Sequence, residues 1–158
     1  IFALVETKIL PHLDFQRATA LTVGRYWRNA TPAQQQRLAD EFRTLLLYTY
    51  SGAMSLVRDQ QLEFAPLRAD PADTEVEVHS RVKLPRRAEP VQVNYRLFKS
   101  PSGWKIYDVN VLGVWVSETY KSSFASIIDK SGLDGLIRTL SEKNGKLAAS
   151  ANVSANAP

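Results

Sequence analysis

The residues able to do chemistry are few in this chain, and their surroundings exclude most kinds of it. Asp108 is the one acidic residue embedded in an apolar run, between Tyr107 and Val109. In a cupped sheet such a carboxylate suits the raised-pKa general base of a small isomerase or cyclase. It equally suits a structural carboxylate bonded to nearby backbone or to an arginine. No second catalytic group is placed beside it. His12 sits between Pro11 and Leu13, and His79 lies near Glu77 and Arg81. Both read as surface residues, because one isolated imidazole lacks the partners that a metal or a triad needs. The chain has no Gly-x-Ser-x-Gly elbow, phosphate loop, dinucleotide fingerprint or His-Glu-x-x-His motif. Without cysteine there is no disulfide framework, Cys-based zinc site, thiol nucleophile or iron-sulfur cluster. No catalytic residue, metal ligand or cofactor is expected.

A basic group is more suggestive. Arg81, Lys83, Arg86 and Arg87 crowd the end of one expected strand and its turn, a place where they fit headgroup phosphates or a membrane surface. The same residues fit a solvated hairpin that keeps a sheet edge soluble. Glu75 and Glu77 share that face, and no aromatic residues interleave with the cations, so nucleic acid is not expected as a partner. The net charge of +4 and a pI near 9.4 favour acidic surfaces in general.

The elements that must position these residues follow from periodicity. At 158 residues, 44% hydrophobic and 23% charged, the chain fits one globular domain and excludes fibrous or wholly disordered classes. Phe2, Val5, Ile9 and Leu10 recur at helical spacing until Pro11, and Asp14 caps a second short helix that Gly24 ends. Thr31, Pro32 and Gln34 form a capping box that starts a helix over about 32–57. Its stripe is Leu38, Phe42, Leu45, Leu46, Ala53, Leu56 and Val57, with Leu47, Tyr48, Tyr50 and Met54 on other sides. A helix so apolar around its girth needs cover on more than one side.

The period then changes to two. Residues 75–84, 91–97 and 104–111 alternate polar and apolar and are joined by turns at 85–90 and 100–103, which predicts a three-stranded antiparallel meander. Leu62 and Phe64 suggest a fourth, edge strand ending at Pro66. Helical spacing returns with Val116, Tyr120, Phe124, Ile127 and Ile128, stops at Gly132, and resumes with Leu133, Leu136, Ile137 and Leu140. The Ala/Ser/Asn-rich residues from Leu147 onward are read as a flexible tail, leaving 1–146 as a single domain. The class is α+β: a twisted antiparallel sheet of about four strands covered by helices. Its apolar surface exceeds what one sheet face needs, so it encloses either a filled core or a cavity.

Several motifs resemble a known family in order and spacing. They are Val23-Gly24-Arg25-Tyr26-Trp27-Arg28-Asn29-Ala30-Thr31 with Gln34–Gln36 and Phe42, then Val93-Asn94-Tyr95-Arg96-Leu97 and Gly103-Trp104-Lys105-Ile106-Tyr107-Asp108-Val109. Gly113-Val114, Tyr120-Lys121, Phe124 and Gly132-Leu133-Asp134-Gly135-Leu136-Ile137 follow. Together they resemble the MlaC-type phospholipid-binding proteins, also called the toluene-tolerance auxiliary family, over about residues 4–144. Trp115 stands where that family usually has a small polar residue, and Lys121 where it has arginine.

The resemblance implies a nuclear-transport-factor-like sheet joined to a helical part, with the acyl chains of a diacyl phospholipid between them. It also implies a monomeric, non-enzymatic carrier in the periplasm, moving lipid between an outer-membrane lipoprotein complex and an inner-membrane ABC transporter with an MCE-type subunit. The chain begins at Ile1 with no basic n-region or small-residue cleavage site, so an export signal would lie upstream. For such a job, parity and stripes nominate Phe42, Leu46 and Met54 on the long helix, Val78, Val82, Val93, Tyr95 and Leu97 on two strands, and Phe124, Ile127 and Ile128 on the later helix. On the ambiguous strand 104–111, the face of Tyr107, Val109 and Val111 is chosen over that of Trp104 and Ile106. Arg81, Lys83, Arg86 and Arg87 are the headgroup or membrane-facing set.

Overall fold

A computed structural model of the chain describes residues 7–55 and 62–156. Asp14 starts helix α1 (Phe15–Val23) by accepting a hydrogen bond from the Arg17 N–H at 2.9 Å, which satisfies one of the donors left over at any helix start. Gly24, at φ 67°, ends α1, and a 3₁₀ stretch (Gly24–Asn29) leads to Thr31. The predicted capping box is present: Gln34 N–H donates to Thr31 Oγ1 at 3.2 Å, and Thr31 N–H donates to Gln34 Oε1 at 2.9 Å. It opens α2 (Pro32–Ser55). The first predicted helical residues, Phe2 and Val5, and the end of the long helix, Leu56 and Val57, lie outside the described residues.

The sheet has five antiparallel strands in sequence order: β1 (Leu62–Phe64), β2 (Glu75–Val82), β3 (Val91–Ser100), β4 (Gly103–Val111) and β5 (Val114–Trp115). Strands β2 to β4 are the expected meander, and β1 is the expected edge. The two-residue β5 is additional. It returns from a tight turn at Leu112–Gly113 and leads into α3 (Val116–Ala155).

Gly132 interrupts α3 with φ 71° and ψ −177°, so the expected stop is a break between two helical pieces. Beyond it the helix continues through the segment read as a tail, and Leu147 packs against the core. Alanine is the strongest helix former. Upstream, Asn144 ties this piece to α2 by donating to the Glu41 carbonyl and carboxylate, both at 2.8 Å.

The tightly packed centre is built from helices. Leu38, Phe42 and Leu45 of α2 meet Phe124, Ile128, Leu136, Ile137 and Leu140 of α3 and Val23 of α1. The Phe42 ring stands edge-on to Phe124 at 5.3 Å and to Tyr120 at 5.4 Å, the arrangement that ring quadrupoles favour.

Candidate functional site

Strand register sorts the sheet side chains into two faces. Val78, Tyr95 and Val109 lie side by side across β2, β3 and β4. Ser80, Val93 and Val111 form the next row, and Val82 pairs with Val91 beyond it. Val76 and Leu97 form the row on the other side. Because successive side chains alternate, all of these share one face.

A bulge rearranges β4. Arg96 pairs with Asp108, but Leu97 pairs with Ile106, leaving Tyr107 as the extra residue. Ile106 therefore joins the apolar face beside Leu97. Tyr107 turns to the opposite face, where its ring meets Phe98 at 6.1 Å. The Arg17 guanidinium covers both rings, 4.1 Å from the Phe98 centroid and 5.0 Å from that of Tyr107, and also pairs with Glu75. Burial pushes the Tyr107 hydroxyl above its ordinary pKa, with the Glu75 charge adding to the effect. The expectation that Tyr107, Val109 and Val111 line one face is thus corrected: the bulge separates Tyr107 from the other two.

The apolar face is packed less tightly than the helical centre. Val76, Val78, Val93, Tyr95, Leu97, Ile106 and Val109 are half-buried, Val82 and Val91 are buried, and Val111 is exposed. Its polar groups among the described rows are Ser80, which donates to the Val93 carbonyl at 2.7 Å, and the Tyr95 hydroxyl, 3.5 Å from Ser80 Oγ. The helical candidates differ. Phe42 and Phe124 are 1% and 2% exposed, and Ile128 is also buried in the closed centre, with Leu46 and Ile127 packed on its margin. The nominated residues thus form two groups, a sheet wall and a helical core. The side chain of Met54 lies outside the described residues. Val76, Val91 and Ile106 complete the wall. Parity marks the first two, but Ile106 is hidden from a sequence reading by the bulge.

The start of α1 is tied to the sheet by the Asp14 N–H, which donates to the Ile106 carbonyl at 2.9 Å, and a side-chain tie lies on the opposite face. Asp108 Oδ1 accepts from the Ser117 N–H at 3.2 Å and the Val109 N–H at 3.0 Å, and Oδ2 accepts from Ser117 Oγ at 2.5 Å. Arg96 Nη1 approaches Oδ2 to 3.6 Å, and its guanidinium lies 3.7 Å from the centre of the Trp115 ring. The residue before α3, Trp115, has no capping side chain of its own. Asp108 supplies the cap from β4, which is the structural alternative weighed for it.

On α3, burial pushes the Tyr120 hydroxyl pKa up to about 12, and Tyr50 on α2 contributes in the same direction. Of the basic set, Lys83 lies 3.5 Å from Glu63, while Arg86 and Arg87 are exposed in the turn between β2 and β3. These three stand at the Val82–Val91 end of the wall. Arg81 alternates with Ser80 and Val82 and so belongs to the opposite face, and Lys83 joins it there through Glu63, the register partner of Arg81. His79 Nε2 lies 3.3 Å from Glu77, both exposed. Among the described residues no cluster of three or more His, Asp or Glu is placed to hold a metal, and no helix is long and apolar enough to cross a membrane.

The solved structure of the phospholipid-binding protein from Ralstonia solanacearum, in complex with a phospholipid, is similar to this fold with a TM-score of 0.84. It is 49% identical, over 93% of this chain and 82% of that one. The intermembrane phospholipid transport system binding protein MlaC of Haemophilus influenzae is 21% identical over 141 residues, 88% of this chain and 66% of its own length. The toluene tolerance protein ttg2D of Pseudomonas putida is 29% identical over 135 residues, 85% of this chain and 61% of its own length. The chain therefore spans less than two thirds of either of these curated relatives. The family model described as MlaC protein matches residues 1–142, and with nearly its whole length so matched, the chain belongs to the MlaC family.

Proposed function

We propose that this protein is a phospholipid carrier that shelters the acyl chains of a diacyl lipid against the apolar wall of its sheet. The observation that supports this most directly is the half-burial of Val78, Tyr95, Val109 and their neighbours. A face of that composition, left less tightly packed than the helical centre, suits an apolar ligand. The similar Ralstonia solanacearum structure, solved with a phospholipid, supports the same choice.

Free-energy arithmetic shows why a carrier is needed. A lipid with about 30 chain methylenes loses roughly 24 kcal/mol of favourable transfer on entering water, at about 0.8 kcal/mol each. Exchange with a bilayer must then be close to isoenergetic, which asks for aliphatic and aromatic lining without unpaired polar groups. Ser80, bonded internally, meets that demand. In this reading Arg86 and Arg87 hold the headgroup phosphate at the Val82–Val91 end, and Phe42 and Phe124 stay sealed in the helical core rather than touching lipid. The protein works as a monomer in the periplasm, receiving and delivering lipid at an outer-membrane lipoprotein complex and an inner-membrane ABC transporter with an MCE-type subunit.

The test is organic extraction and native mass spectrometry of the purified protein. Co-purified phospholipid is expected, and Tyr95→Arg, which sets a charge in the middle of the wall, should reduce it at least tenfold while the protein stays folded. Protein that neither yields phospholipid nor takes it up from vesicles would overturn the reading.

A further inference from the structure

The end of the sheet that carries the β2–β3 turn also carries the β4–β5 turn, and the second has features that folding alone does not call for. Val111 pairs with Val93 on one side and Val114 on the other, and Leu112 N–H donates to the Gln92 carbonyl at 3.3 Å. The Leu112–Gly113 tip therefore stands beside the start of β3 and the basic turn that precedes it. Both tip residues have positive φ, 54° for Leu112 and 86° for Gly113. Turns of this kind favour Asn-Gly or Asp-Gly. A leucine there brings its Cβ against a carbonyl oxygen. Leu112 gains no compensating burial either, since it is 61% exposed, and Val114 is 54% exposed beside it.

The neighbouring charges carry a positive excess, three cations against two carboxylates. Lys83, Arg86 and Arg87 are exposed in the adjacent turn, opposed by Glu63 near Lys83 and by Glu89. An exposed apolar tip offers no groove for a peptide or helix. Flanked by cations, it has the chemistry of a segment that dips into an interfacial layer while its charges meet anionic headgroups. We infer that the Leu112–Val114 tip, with Arg86 and Arg87 in the adjacent turn, docks the protein on the surface of an anionic lipid bilayer. This deepens the carrier reading, because it places the bilayer beside the end of the wall assigned to the headgroup.

Flotation with vesicles tests it, using phosphatidylcholine alone and phosphatidylcholine with about a third phosphatidylglycerol. The full chain should float with the mixed vesicles, far less with the neutral ones, and progressively less as salt rises. Leu112→Asn suits the turn and should keep or raise the Tm, yet reduce flotation several-fold. Arg86→Glu with Arg87→Glu should weaken binding about fivefold or more per position. Equal flotation of Leu112→Asn and the parent would overturn the inference, as would failure of the parent to bind mixed vesicles, the outcome expected if the tip serves a protein partner instead. Extraction of lipid from the same preparations separates the two claims. A Leu112→Asn protein that retains phospholipid but does not float supports docking by the tip, whereas lipid-free protein that still floats would remove the carrier reading and leave docking standing.

Discussion

Asp108 on β4 closes the N-terminus of α3 by taking both the N–H and the hydroxyl of Ser117. The carboxylate is almost wholly buried, so truncating it strands a buried donor and removes the anchor between helix and sheet. Asp108→Ala should cost about 1–3 kcal/mol in denaturant unfolding. Ser117→Ala should cost less, and the double variant should cost less than the sum of the two, since each removes the same bond. A purely additive cycle would contradict the anchor.

The wall and the helical centre should respond differently to mutation. Phe42→Ala empties a site that is 1% exposed and should cost about 3–5 kcal/mol of stability. Val109→Asp, on the half-buried wall, should instead reduce bound phospholipid sharply, with a smaller change in urea midpoint. Comparable unfolding costs for the two would erase the distinction.

The capping box makes a separate, local prediction. Thr31→Ala leaves the Gln34 N–H unpaired at the start of α2 and should lower stability by about 1 kcal/mol. Thr31→Ser should recover most of it. The readout is the midpoint of chemical unfolding with an unchanged slope.

Alkaline pH supplies a fourth. The folded Tyr120 pKa stands at about 12, above the ordinary value of 10.0. The unfolded chain therefore loses this proton first, and the contribution is complete below about pH 10 and lost as pH rises toward 12. Tyr120→Phe should flatten that part of the stability profile, measured as the difference between variant and parent from pH 9 to 12. Identical slopes would show that Tyr120 titrates normally.

Gly135 is constrained by the break before it. A Cβ built there would lie 2.2 Å from Ser131 Cβ, so the Gly132 conformation brings Ser131 over the following turn. Gly135→Ala should destabilise by about 1–3 kcal/mol, despite alanine's better helix propensity. A gain in stability, read by thermal unfolding, would refute the close approach.

Much of this architecture was legible in the sequence because local rules decided it. Asp14, Thr31 and Gln34 marked helix starts, Gly24 and Gly132 marked ends, and alternation in 75–82 and 91–97 set the wall's parity. The bulge at Tyr107 was not legible, because both faces of 104–111 are apolar and alternation alone cannot reveal one inserted residue. The helix beyond Leu147 is not legible because the polar composition of that stretch masks the helix propensity of its alanines. Nor can helical spacing tell Phe42 and Phe124, sealed in the centre, from helix residues that would face a ligand, since both kinds follow the same apolar stripe.

The helical centre draws its members from α1, α2 and α3, and none of them comes from a strand. Cohesion of the molecule and occupancy of the sheet are thereby uncoupled. On the proposed carrier reading, lipid then comes and goes at the strands while the solid part of the fold stays intact, with no cycle of melting and refolding.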